Sequence, residues 1–196
     1  MSQVDSQKIL IIDAGCQFHG QGGTLNHAVA QMAKDWLTDL GHQVTITTVD
    51  REFDPAEEAQ KLVDADSVII QFPGWWMSYP WQLKRYIDEV FMMPAIRAND
   101  GRSHTNHTKL YGRGGFLQGK TYMVSSTWNA PAEAFTNPLQ FFEGKGIDGV
   151  TFPLHKAFQF IGFKALPSFS MHDVVKNPTH EEDFAHFKAH LLHYYG

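Results

Sequence analysis

The chain reads as an α/β protein, a parallel sheet covered by helices on both faces. Three observations predict this. Short apolar runs alternate with amphipathic helical stretches, each run ends in turn residues, and the run Val68-Ile69-Ile70-Gln71-Phe72 lacks the in-out alternation of a half-exposed strand. A continuous apolar run closed by a turn fits a strand buried on both sides. Strands that alternate with helices build a sheet whose crossovers pass over either face.

Along the chain, Lys8 to Asp13 (KILIID) is a short apolar strand, and a glycine-rich loop, AGCQFHGQGGT, follows it. Leu25, Val29, Met32, Ala33, Trp36, Leu37 and Leu40 then share one face of a helix that Gly41 closes. Val44 to Val49 is a β-branched second strand, and Pro55 to Val63 a charged helix. The third strand begins at Ser67. After the turn PGWWMSYP, Leu83, Ile87, Val90 and Phe91 mark the buried face of its helix. Met93 to Gly119 is a polar segment, and connections of that length usually carry function or an interface. Lys120 to Thr127 (KTYMVSST) is a fourth strand. Pro131 to Pro153 is expected as a second irregular insertion and Lys156 to Ile161 as a short helix. Phe163 to Ser170 is expected as a fifth strand, at an edge because Pro167 cannot donate to a ladder. Thr179 opens the last helix, where Glu182 completes a capping box, and Phe184, Phe187, Leu191 and Tyr195 form the buried face. Without repeats or linkers, one domain over residues 1–196 is expected, with residues 1–7 flexible.

Bulk composition narrows the function. The net charge is −5 and no long cationic run exists, which disfavours a nucleic-acid partner. A single cysteine, Cys16, excludes an internal disulfide framework and a cysteine metal cluster. The N-terminus lacks the basic start and apolar core of a signal peptide, and no stretch approaches about 18 apolar residues. A cytoplasmic protein without a membrane span is expected. His104 and His107 stand three apart among polar loop residues, without a third ligand at matching spacing, so no metal is assigned.

Ligands of open α/β sheets bind where strand carboxyl ends hand over to helices. The loop Phe18-His19-Gly20-Gln21-Gly22-Gly23-Thr24-Leu25-Asn26 lies there, and free N–H groups at a helix start attract phosphate. Its pattern is neither of the common dinucleotide or P-loop motifs, and Thr24 or Asn26 could serve only as caps. Trp75 and Trp76 follow the third strand, where indole suits a flat aromatic ligand or simply covers the core. Thr127-Trp128-Asn129-Ala130 would flank the same ligand from the fourth strand. Tyr111 is a pocket wall or a loop anchor. His155 could donate a proton or stabilise an anion, and equally could be structural.

Four segments carry a resemblance: PGWWMSYPWQLKRYIDEVF, YGRGGFLQGKTYMVSSTWNAP, GIDGVTFPLHKAFQFIGF and the N-terminal loop ending in TLN. They are similar to the modulator of drug activity B family, bacterial NADPH-dependent quinone reductases related more distantly to mammalian DT-diaphorase. The resemblance covers almost the whole chain. It implies a flavodoxin-like fold with a five-stranded parallel sheet in the order 2-1-3-4-5, bound FAD and a homodimer. It further implies that Gln21, Gly22, Gly23, Thr24, Leu25 and Asn26 hold the FAD pyrophosphate. Pro73, Gly74, Trp75 and Trp76 would contact the isoalloxazine and ribityl parts. Tyr111 would touch the cofactor, and Thr127, Trp128, Asn129 and Ala130 would line the flavin's other polar edge. Gln21 departs from the serine that family members often carry, so backbone N–H groups and Thr24 would take over its hydroxyl contact. The expected activity is two-electron, ping-pong reduction of quinones by NAD(P)H, with His155 as a substrate contact. The choice between NADPH and NADH is not legible in the residues. Alternatives are a reductase of azo or nitro compounds on the same scaffold, a flavodoxin-type electron carrier, and a cofactor-free regulatory domain.

Overall fold

The structure, a computed structural model, describes residues 5–18, 20 and 22–196. Its elements run β1 (Lys8–Asp13), α1 (Thr24–Asp39), β2 (Gln43–Thr48), α2 (Pro55–Asp64), β3 (Ser67–Pro73), α3 (Trp81–Val90) and β4 (Thr121–Thr127). They continue as α4 (Glu133–Thr136), α5 (Gly146–Val150), α6 (Phe152–Ile161), β5 (Lys164–Ala165), β6 (Phe169–Met171) and α7 (His180–Tyr195). The expected flexibility of residues 1–4 and the phosphate role of Gln21 lie outside the described residues.

All strands pair in parallel in the order β2-β1-β3-β4-β5, with β6 also on β4. The central register aligns Ile46, Ile11, Ile69 and Met123 across four strands. This is the flavodoxin-like architecture that the resemblance implied. Because neighbouring residues of a strand face opposite ways, each apolar run feeds two cores. Ile9, Ile11, Ile69 and Met123 pack with α1 and α7 residues such as Val29, Leu37, Phe187 and Leu191. Leu10, Ile12, Val68, Ile70 and Val124 pack with α2, α3 and α6 residues such as Leu62, Tyr86 and Phe158.

Four expectations need correction. The single fifth strand is two pieces: β5 pairs with the start of β4 and β6 with its end. Between them lie Leu166, Pro167 and Ser168, where proline breaks the ladder. The insertion at Pro131 to Pro153 is not irregular, since it carries α4, α5 and the first turn of α6. The helix placed at Lys156 begins at Phe152, with Pro153 in its first turn, a position proline favours. The capping box does not form: Thr179 makes no cap bond, and its hydroxyl instead lies 3.3 Å from Asp183 Oδ2.

Candidate functional site

The carboxyl ends of β1, β3 and β4 share one rim, and the sequence places its three candidate segments there. After β1, Gly23 adopts φ 82° and a Cβ there would lie 2.1 Å from the Gly15 carbonyl oxygen, so only glycine closes this loop. Gly23 is also the N-cap of α1, and no described side chain caps that helix. The first N–H groups of a helix lack intrahelical acceptors. Those of Thr24, Leu25 and Asn26 therefore stand at the rim without intrahelical acceptors.

The turn after β3 is closed by two mutual bonds: Trp75 N–H donates to the Ser78 carbonyl at 2.8 Å and Ser78 N–H returns the bond at 3.0 Å. Its central residues, Trp76 and Met77, hold φ of 47° and 64°. Left-handed backbone at bulky residues is strained and concentrates at ligand sites. The turn projects Trp76 outward, 93% exposed, while Trp75 is half-buried and meets the exposed Phe18 ring edge-on at 6.2 Å. Phe18, in the loop after β1, thus meets the turn after β3.

The end of β4 joins them. Gly74 N–H donates to the Thr127 carbonyl at 2.8 Å. Trp128 is only 4% exposed: its indole N–H donates to Ser126 at 2.9 Å and its ring packs edge-on against Phe135 and Phe142. This indole forms the floor beneath Gly74, whereas Asn129 and Ala130 reach the surface.

Beneath the rim runs a buried polar chain that sequence reading missed. Ser125 donates to Gln71 at 2.6 Å, Gln71 donates to Asn26 at 2.7 Å, and the Asn26 amide donates to Thr127 at 3.1 Å. Asn26 is therefore neither a cap nor free. Its side chain fastens α1 to β4, while its main chain remains at the helix start. Gln71, a polar residue inside an apolar strand, was the available signal, since a buried amide requires partners. Nearby, Asp13 accepts from Gly15 N–H at 2.8 Å and lies 2.6 Å from His27 Nδ1. Burial, with Asp50 and Asp13 close by, pushes the Cys16 thiol up to about 12, so it stays protonated and inert.

Two candidates are not brought to the rim. Tyr111 is exposed and its ring lies 5.3 Å from that of Phe160, near the end of α6 that leads into β5. His155 is buried, and its Nδ1 is 2.7 Å from the hydroxyl of Tyr122, at the opposite, amino end of β4. Its Nε2 lies 3.3 Å from Asp148, whose carboxyl is held below the usual range, chiefly by its bond to His155. Among the described residues, no group of three or more His, Cys, Asp or Glu is placed to hold a metal ion, and no helix is long and apolar enough to cross a membrane.

Residues 7–194 match the family model of the flavodoxin-like fold, the class that the sheet order and rim already define. The chain is 46% identical over 190 residues to the NADPH:quinone oxidoreductase MdaB of Haemophilus influenzae, covering 96% of this chain and 99% of that one. A Klebsiella pneumoniae structure provisionally described as a quinone reductase aligns with TM-score 0.74 and 25% identity, over 96% of this chain and 83% of that one. An FMN-dependent NADH-azoreductase from Bacillus anthracis shares the fold, with TM-score 0.70 and 14% identity over 97% and 100% of the two chains. The chain belongs to the flavodoxin-like family and, within it, to the family of MdaB, modulator of drug activity B.

Proposed function

We propose that the chain is an FAD-dependent NADPH:quinone oxidoreductase that works by a ping-pong cycle at the rim of β1, β3 and β4. One observation carries the reading: a strained turn holds Trp76 out in solvent on the same rim where α1 begins without a described side chain to cap it. Packing alone gives no reason to strain a backbone so as to expose an indole, whereas a flat ligand does. The 46% identity to a NADPH:quinone oxidoreductase supports the same assignment.

In this reading Gly22, Gly23, Thr24, Leu25 and Asn26 present main-chain N–H groups to the pyrophosphate, with Gln21 assigned to the same group by the family resemblance. Pro73, Gly74, Trp75 and Trp76 flank the isoalloxazine ring on one side. Thr127, Asn129 and Ala130 meet its polar edge, with Trp128 as the rigid floor. When bound, the flavin would supply the redox chemistry, hydride transfer between NADPH and a quinone. The aromatic turn orients both reactants in succession and keeps water from the reacting face. The hydride leaves a hydroquinone anion that takes its proton from solvent as it departs. No chain residue is therefore required to supply one, and His155, tied to Tyr122, is left to the frame. The exposed Leu110, Tyr111 and Phe116 supply a surface for a second copy, through which Tyr111 touches the cofactor of a homodimer.

The test is spectroscopic. Purified protein should be yellow and release FAD rather than FMN on denaturation. NADPH should bleach the flavin band and menadione should restore it. Colourless protein that takes up no added flavin refutes the reading. Released FMN refutes only the choice of FAD, and comparison of quinones, azo dyes and nitroaromatics fixes the preferred oxidant.

A further inference from the structure

On the β2 side of the rim, a cavity of about 750 Å³ opens between α1 and the edge of the sheet. Asp13, Gln17, Lys34, Thr48, Asp50 and Arg51 line it. This lining is wrong for a quinone and right for a phosphorylated sugar, because carboxylates accept from hydroxyls and cations bind phosphate. Both carboxylates are held in place. Asp13 is engaged by Gly15 and His27, and Asp50 accepts from Gln17 N–H at 3.1 Å and from the Gln82 amide at 3.3 Å.

Lys34 and Arg51 make no ion pair with a described residue. Three other candidates are already committed: Lys84 to Asp88, Arg85 to Glu89 and Glu52, and Arg102 to Asp100. Arg113 is also unpaired, but it lines a different cavity, beside Tyr111 and Phe160. An ion pair must be broken before its cation can serve a ligand, so the unpaired cations have the advantage. The cavity also adjoins the rim directly, since Gln17 in its wall precedes Phe18, the ring that meets Trp75. At 1.5 Å per residue, Lys34 lies roughly 10 Å further down α1 than His27, which leaves room for an elongated group.

We propose that this cavity takes the adenosine end of NADPH, with Lys34 and Arg51 on its 2′-phosphate and Asp50 on the 3′-hydroxyl of the same ribose. The proposal rests on the rim being the redox site, because the dinucleotide must reach from Trp75 into the cavity. It assigns the choice of NADPH over NADH to two residues outside the flavin's own contacts.

Titration calorimetry of the intact protein with 2′,5′-ADP and with 5′-AMP, at fixed salt, tests it without any turnover. The parent should bind 2′,5′-ADP about tenfold more tightly, as one charge-assisted contact warrants. That advantage should vanish in Lys34→Ala/Arg51→Ala, return in part in Lys34→Ala/Arg51→Lys, and persist in Lys164→Ala on the far side of the sheet. A parent without the preference, or a preference that survives the double substitution, overturns the proposal. If the preference behaves as expected and NADPH leaves the flavin oxidised, the phosphate site stands and the redox reading falls.

Discussion

The turns after β3 and β4 have similar ingredients: a small residue, tryptophan, and a strand end on the same rim. They use tryptophan in opposite ways. Trp128 is 4% exposed, bonded through its indole N–H and wedged among Phe135 and Phe142. Trp76 is 93% exposed and held out by a left-handed backbone. The first stabilises the protein through burial, while the second costs backbone strain. A site of this kind needs both, because a surface that must grip a flat ring has to be backed by something that does not move.

The contrast is sharpest where it can be broken by substitution. Trp128→Ala should lose about 3–5 kcal/mol of stability, the usual cost of deleting a buried indole, measured by urea unfolding. Loss below about 1 kcal/mol would mean that Trp128 is not the floor. Gly74→Ala places a Cβ 2.2 Å from the Trp128 ring and should cost about 1–3 kcal/mol through overpacking. Trp76→Gly should act with the opposite sign, stabilising by about 1 kcal/mol as left-handed strain is relieved, while the release of bound flavin on dilution becomes faster. Stability and cofactor retention moving together would contradict the division of labour between the two turns.

The smallest effect concerns pH. His172, which packs on Phe135 beside Trp128, titrates below the ordinary histidine value because burial disfavours its charged form. The unfolded chain then binds more protons than the folded one as pH falls from about 6.5. Stability should therefore decline on acidification through that window and be restored as pH rises. His172→Gln should flatten this slope in melting curves recorded across the same range.

Much of this was legible in the chain. β1, β3 and β4 are announced by apolar runs, and Gly41, with φ 96°, ends α1 where its position suggested. The start of α6 was missed although Pro153 signalled it, because Phe152-Pro153 also reads as the end of a loop. The Thr179 motif predicted a box that the backbone, at φ −123° and ψ 43°, does not form. For the site, the glycine loop and tryptophan turn could be read because local chemistry marks them. The fate of Trp128 could not, since its partners Phe135 and Phe142 come from an insertion that looked irregular. Nor could the link between Asn26 and Thr127, which joins residues 101 positions apart and leaves no local trace.

The broken outer margin of the sheet has a consequence for life in a crowded solution. An uninterrupted margin strand offers a row of unpaired main-chain groups on which another molecule's strand can grow, the first step toward fibrous clumping. Here that row is cut into pieces of two and three residues, with Pro167 in the gap. Replacing Pro167 and fusing the pieces would give this margin an unbroken template like the one that β2, Gln43–Thr48, presents at the opposite edge.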